Sequence, residues 1–129
     1  MEIRVYYEDT DCGGIVYYAN YLKYFERART EYFRERGIDI AAYAAAGILF
    51  VVAHVEVDYR LPARYNDLLV IETEVADFSR ASLTFSHIIG RRGTDEIVVE
   101  GWARLVCIDE QGRPRRLPEE ITQIITKIV

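Results

Sequence analysis

From about Tyr18 to Arg36 the apolar residues recur with the period of a helix. Tyr21, Phe25, Ala28 and Tyr32 fall at i, i+4, i+7 and i+11 on one face, while Lys23, Arg27, Thr30, Glu31 and Arg34 lie largely elsewhere. A start at Tyr17 or Tyr18 and a start capped by Asn20 fit the pattern equally, and Gly37 predicts the stop, because glycine accepts the left-handed conformation past a helix end. An alanine-rich second helix is expected over Asp39–Gly47. Past Gly47 the period changes to two. Val51, Ala53, Val55, Val57, Tyr59 and Leu61 alternate with Val52, His54, Glu56, Asp58 and Arg60, a long strand with one apolar face that Pro62 ends. Leu68–Phe78, Ala81–Ile89 and Glu96–Ile108 are further strands. Ser79-Arg80 and Arg91-Arg92-Gly93-Thr94 are short enough for hairpin turns, and Asp109–Gly112 for another. Ile3–Tyr7 reads as a short opening strand. Pro118-Glu119-Glu120 reads as a first helical turn, with Ile121, Ile124, Ile125 and Ile128 as the apolar stripe behind it.

Helices are thus segregated from antiparallel strands, which predicts an α+β fold with the long helix burying its aromatic face against the concave side of a curved sheet. The 129 residues carry no repeat, linker or low-complexity tract, so residues 1–129 are expected to form one domain. A chain this small leaves about a third of its unfolded surface exposed after folding, so burial in an oligomer is expected to help. Sixteen basic and 21 acidic residues give a net charge of -5, which excludes a generally basic nucleic-acid binder. No apolar run approaches the roughly 18–20 residues that span a bilayer. The start MEIRVYYEDTD lacks the layout of a secretory signal. Two cysteines, Cys12 and Cys107, are too few for a disulfide framework. A reduced, cytoplasmic protein is the expectation.

The candidate chemistry lies before the long helix. Glu8, Asp9 and Asp11 place three carboxylates within four residues, followed by Gly13-Gly14. One reading is that they complement the helix dipole from solvent. The other is catalytic. Gly13 and Gly14 let backbone approach a ligand closely. The first helical N–H groups can stabilise a developing oxyanion, and a carboxylate beside them can act as general base or nucleophile.

The stretch Asp9-Thr10-Asp11-x-x-Gly14-Ile15-Val16-Tyr17-Tyr18-x-x-Tyr21, followed by Phe25-Glu26-Arg27-Ala28-Arg29, resembles the signature of the hotdog-fold acyl-CoA thioesterases. Its branches of the 4-hydroxybenzoyl-CoA and Tol-Pal-associated types are the most similar. The resemblance continues through Val57-x-Tyr59-x-x-Pro62-Ala63-Arg64-x-x-Asp67 and covers nearly the whole chain. It implies a long helix wrapped by an antiparallel sheet, hydrolysis of acyl-CoA, and no metal or redox cofactor. It implies that Asp11, the second aspartate of the pair, is the essential carboxylate and that a backbone N–H near Tyr18 polarises the thioester carbonyl. Tyr18 stands where the Tol-Pal branch usually has histidine and is closer to the hydroxybenzoyl branch. Tyr7 matches a site-proximal tyrosine of the Tol-Pal branch. Tyr7, Gly14, Tyr18 and Tyr21 are accordingly the expected acyl-site residues. The family forms its sites between subunits, which implies a homodimer or homotetramer.

Asp9 is a candidate to share the work of Asp11, or to bond the loop backbone. Arg60, Arg64, Arg80, Arg91 and Arg92 are candidates for the coenzyme A phosphates, because guanidinium groups offer several donors to one phosphate. Arg64 and Arg80 are favoured, with Ser82 as a helping hydrogen-bond donor. His54 and His87 read as sheet residues, and no histidine, cysteine and carboxylate spacing resembles a zinc site. Cys12 has no apparent histidine or lysine to generate a thiolate. The expected function is acyl-CoA thioester hydrolysis of short, medium or aromatic acyl groups by Asp11. The alternatives are a non-catalytic acyl-CoA binding module and a hydroxyacyl thioester dehydratase. The dehydratase needs a histidine that is missing near the Asp11 loop.

Overall fold

The computed structural model describes residues 1–128, with side-chain surroundings through Thr126. The chain runs β1 (Glu2–Arg4), a 3-10 turn (Tyr7–Asp9), α1 (Asn20–Glu35), α2 (Ile40–Ala45), β2 (Leu49–Tyr59), β3 (Leu68–Phe78), β4 (Ser82–Arg91), β5 (Ile97–Ile108) and α3 (Glu119–Ile128). The five strands form one sheet in the order β1-β3-β4-β5-β2, and every pairing is antiparallel. This is the α+β arrangement that the change of period predicts.

The predicted aromatic face of α1 is the buried one. Tyr21, Phe25, Ala28 and Tyr32 are buried, and Tyr24, Arg29 and Phe33 widen the stripe. Phe25 sets the closest approach of helix to sheet. A β-carbon at Gly101 on β5 would overlap its ring, and the ring stacks on that of His87, with centroids 4.5 Å apart. Burial of one such side chain contributes about 1.5–3 kcal/mol. Two apolar clusters follow from this contact. One joins Tyr21, Tyr24 and Phe25 to Ile3, Leu69, Ile89 and Val99. The other joins Tyr32 and Phe33 to Phe85, Leu105, Ile121 and Ile125. Thus Ile121 and Ile125 of the predicted α3 stripe are buried. The side chain of Ile128, its last member, lies outside the described residues.

Three expectations are corrected. The opening strand stops at Arg4 instead of Tyr7, because the Asp9 carboxylate accepts from the Tyr6 N–H at 2.8 Å and curls the chain into the 3-10 turn. Asn20 does not cap α1. Ala19 holds the cap position, and the Asn20 amide donates instead to the Asp9 carbonyl at 2.8 Å. The strict alternation in β2 fails at Ala53, where a bulge shifts the register against β5 between Val52 and His54. An extra residue reverses which parity faces inward. Phe50 packs on the core before the bulge and Val57 after it. β2 is an edge strand, with Leu49, Val51, Val52 and Val55 left 37–51% exposed.

Candidate active site

The Asp11 loop is a tight turn held between the 3-10 turn and α1. The Asp11 N–H donates to the Ile15 carbonyl at 2.9 Å, and its carbonyl accepts from the Gly14 N–H at 3.0 Å. Gly14 sits at φ +78°, a left-handed conformation that costs glycine nothing and a side-chain-bearing residue strain. The Gly13 N–H donates to Asp11 Oδ1 at 2.8 Å. Asp11 Oδ2 has no hydrogen-bond partner among the described residues, and the side chain is exposed. One oxygen orients the carboxylate and the other is available to a substrate or a water. Further along the loop, neither the Tyr18 nor the Ala19 N–H has an acceptor among the described residues. These amides head α1, where unpaired N–H groups favour negative charge.

The loop is docked on the segment Pro62–Asp67. Val16 N–H donates to the Ala63 carbonyl at 2.8 Å, Ile15 bridges to Arg64, and the Ala63 N–H donates to the buried Tyr21 hydroxyl at 3.3 Å. Between loop and segment opens a cleft of about 270 Å³ lined by Ile15, Val16, Tyr18, Tyr21, Tyr59 and Leu61, among others. Tyr59 ties it together. Its hydroxyl donates to the Tyr18 carbonyl at 3.0 Å, and its ring lies 5.7 Å from that of Tyr21 and 6.3 Å from that of Tyr18. Asp11 does not line this cleft itself. Its backbone is bonded to Ile15, which does.

Tyr18 and Tyr21 thus line the cleft, while Asp11 and Gly14 sit in the adjoining loop that Ile15 ties to it. Tyr7 stands apart. It is 78% exposed, packs edge-on against Tyr65 with centroids 6.0 Å apart, and borders a separate surface recess with Arg4 and Asn66. Arg64 adjoins the loop through its bridge to Ile15, and its backbone N–H donates to Asp67 Oδ2 at 2.8 Å. Arg80 and Ser82 lie at the opposite end of the sheet. Ser82 pairs with Val106 and Tyr59 with Val99, seven residues apart on β5, or about 23 Å at the usual rise. The Ser82 hydroxyl is bonded to that of Ser79 at 2.6 Å. Arg80 shares a surface cleft of about 600 Å³ with Arg115 and Arg116.

Of the five candidate arginines, three are committed to protein partners. Arg91 donates to Asp67 Oδ2 at 3.1 Å and to the Pro62 carbonyl at 2.9 Å, Arg60 pairs with Glu100 at 2.8 Å, and Arg92 pairs with Glu2. The guanidinium groups of Arg64 and Arg80 have no acidic partner among the described residues. Both histidines are accounted for outside the loop. His54 is exposed and bonded to Glu56 at 2.9 Å. His87 is fully buried, and burial, aided by Arg29, pushes its pKa down to about 3. It stays neutral, with Thr73 Oγ1 2.9 Å from Nδ1. Cys12 is exposed and Cys107 is buried.

Sequence reasoning passed over Tyr59, Asp67, Arg115 and Arg116. Tyr59 and Asp67 stood inside the matched Val57–Asp67 stretch, so a signal was present. Arg115 and Arg116 carried none, since only the folding of the segment after β5 beside the β3–β4 turn brings them to Arg80.

One short stretch of chain thus carries an exposed carboxylate with a free oxygen, unpaired N–H groups at the head of a helix, and two tyrosines of an aromatic cleft. The model of the thioesterase-like superfamily matches residues 5–125, and the chain belongs to that family. It is 41% identical over 121 residues to the acyl-CoA thioester hydrolase YbgC of Escherichia coli, covering 92% of this chain and 89% of that protein. It is 37% identical over 121 residues to the acyl-CoA thioesterase YbgC of Haemophilus influenzae, covering 92% of this chain and 88% of that one. Among solved structures, a DHNA-CoA thioesterase from Staphylococcus aureus superposes with a TM-score of 0.95 at 28% identity, over 99% of this chain and 88% of the other. The hotdog fold expected from the Asp9–Arg29 motif is the fold of this chain.

Proposed function

We propose that the protein is an acyl-CoA thioester hydrolase with Asp11 as its essential carboxylate. The observation that carries this reading is the half-used Asp11 carboxylate in the loop that leads into the unpaired Tyr18 and Ala19 N–H groups. The thioester carbonyl accepts from the N–H groups at the head of α1, which stabilise the oxyanion as it forms. Asp11 completes the reaction by one of two balanced routes. As a general base it takes a proton from water, the resulting hydroxide forms the new C–O bond, the C–S bond breaks, and coenzyme A leaves as a thiol after protonation. As a nucleophile it forms an acyl–aspartyl anhydride and expels the thiolate, and water then cleaves the anhydride. A single turnover in ¹⁸O-labelled water detects the second route when water cleaves the anhydride at the aspartyl carbonyl: the label then enters the Asp11 side chain and the acid stays unlabelled, whereas the general-base route puts the label in the acid.

The acyl group occupies the cleft of Tyr18, Tyr21 and Tyr59, whose rings suit short or medium aliphatic groups and aromatic ones. Arg64 and Arg80, with Ser82 beside the latter, bind the coenzyme A phosphates. Within one chain Arg80 is too far from Asp11 to share a substrate with it. Pairing two copies along the β2 edge resolves this distance. The antiparallel two-fold arrangement sets the Arg80 end of a second copy against the Asp11 end of the first, and it covers the exposed Leu49, Val51 and Val55. It also shields Asp11 from bulk water. The working unit is thus a homodimer, or a homotetramer built from it, with one catalytic domain per chain over residues 1–129. Its compartment is the cytoplasm, in keeping with two unpaired cysteines; among the described residues no helix is long and apolar enough to cross a membrane.

A thiol-release assay over short, medium, long and benzoyl-type acyl-CoAs tests the proposal. Turnover of at least one class at enzyme-like rates is expected, and no release from any of them would refute it.

A further inference from the structure

Asp9 stands two residues before Asp11, yet its bonds differ in kind. Its carboxylate accepts from the Tyr6 N–H at 2.8 Å, and its own N–H donates back to the Tyr6 carbonyl at 3.0 Å. Its carbonyl accepts from the Tyr17 N–H at 2.9 Å and from Asn20 Nδ2 at 2.8 Å. Tyr6 precedes the Asp11 loop, Tyr17 follows it, and Asn20 is the first residue of α1. One residue thereby ties both ends of the loop to the head of the helix, and Asp11 hangs between the ties. Near the Asp9 carboxylate lies Tyr24, 1% exposed. The Tyr24 hydroxyl has no hydrogen-bond partner among the described residues, and burial together with the Asp9 carboxylate raises its pKa, so it keeps its proton. The two aspartates are thus sorted by their surroundings: Asp9 is half-buried and its carboxylate is held by backbone, whereas Asp11 is exposed with one oxygen unused.

We propose that Asp9 is the positioning residue of the site, fixing the Asp11 loop on the N-terminus of α1 without touching the substrate. This rests on the thioesterase reading for the role of Asp11, while the anchoring itself does not. The reacting atoms must meet within about 3–3.5 Å, and a displacement of 1 Å is enough to cost about 10²-fold in rate.

Asp9→Ala and Asp9→Asn are compared with wild type. Asp9→Ala removes the acceptor for Tyr6, and kcat should fall by about 10²-fold with KM nearly unchanged. Asp9→Asn keeps an oxygen that can accept from Tyr6, and it should restore most of kcat. Amide hydrogen exchange without substrate gives the second readout. Exchange at Tyr6 and Tyr17 should accelerate in Asp9→Ala, while α1 and the central strands stay protected, and Asp9→Asn should behave as wild type. If Asp9→Asn is as inactive as Asp9→Ala while its exchange is normal, the charge takes part in chemistry and the proposal is overturned. Wild-type kcat in Asp9→Ala overturns it too, as does faster exchange throughout the chain. A wild type inactive on every thioester, with the expected exchange pattern, would remove the function and leave the anchor standing.

Discussion

Arg91 offers the sharpest separation between a binding arginine and a structural one. Its guanidinium is about one-fifth exposed and braces the Pro62–Asp67 segment through Asp67 Oδ2 at 3.1 Å and the Pro62 carbonyl at 2.9 Å. That segment in turn carries Val16 and Ile15, and through them the Asp11 loop. Arg91→Met keeps the apolar stem and removes both bonds. A hydrogen bond to a charged group contributes about 1.5–3 kcal/mol when buried. With partial exposure on both sides of the ion pair, about 1–2 kcal/mol is the expected total loss. For a chain of this size that lowers Tm by roughly 3–10 °C. The effect on catalysis should be a modest fall in kcat from a looser loop. The KM for acyl-CoA and its dependence on salt should stay as in wild type, because no phosphate contact is lost. The matched variants Arg64→Ala and Arg80→Ala should do the reverse, raising KM and weakening its salt dependence at nearly constant Tm. Thermal melts and a thiol-release assay at two ionic strengths measure all of this. If Arg91→Met left Tm unchanged and raised KM in a salt-sensitive way, the bracing argument would be refuted and Arg91 would belong to the phosphate site.

Other expectations follow from the packing. Gly101→Ala puts a methyl group into the Phe25 ring and should destabilise by about 1–3 kcal/mol, read from the urea midpoint. His87 is buried neutral with its pKa near 3, whereas in the unfolded chain it titrates near 6.5. Below pH 6.5 the unfolded state therefore binds a proton that the native state refuses, so stability falls as pH drops; the loss between pH 7 and 5 should be about 2 kcal/mol. His87→Gln should flatten that slope in urea melts at the two pH values. Val55→Lys on the β2 edge should convert the oligomer to monomers by light scattering and abolish activity; an active monomer would contradict the two-copy site. Tyr18→Phe should leave turnover nearly intact, since the Tyr18 carbonyl, not its hydroxyl, is what Tyr59 contacts.

Period and punctuation made most of the fold legible. The i, i+4, i+7, i+11 aromatic face of α1 is buried as predicted, and Leu68–Phe78 is a strand with the expected bounds. What stayed hidden was local hydrogen bonding that competes with a repeat. Ile3–Tyr7 reads as extended until the Asp9 carboxylate captures the Tyr6 N–H, and the alternation of β2 gives no hint of its bulge at Ala53. Around the cleft, neighbours in sequence were legible: Tyr18 and Tyr21 both line it because the loop and the first turn of α1 are contiguous, with Asp11 and Gly14 in that loop. Distant residues were not. Nothing in the spacing of Arg91 tells that Asp67 claims it, nor does the position of Arg80 reveal that it lies some seven residues down the sheet from Tyr59.

The central claim is that Asp11 performs the chemistry, and Asp11→Asn tests it most directly. The substitution preserves size and an oxygen for the Gly13 N–H, so folding, oligomeric state and acyl-CoA binding should match wild type. With saturating acyl-CoA, thiol release should fall by at least about two to three orders of magnitude, the scale for a positioned base or nucleophile. Turnover within a few-fold of wild type in a correctly folded Asp11→Asn protein would contradict the account.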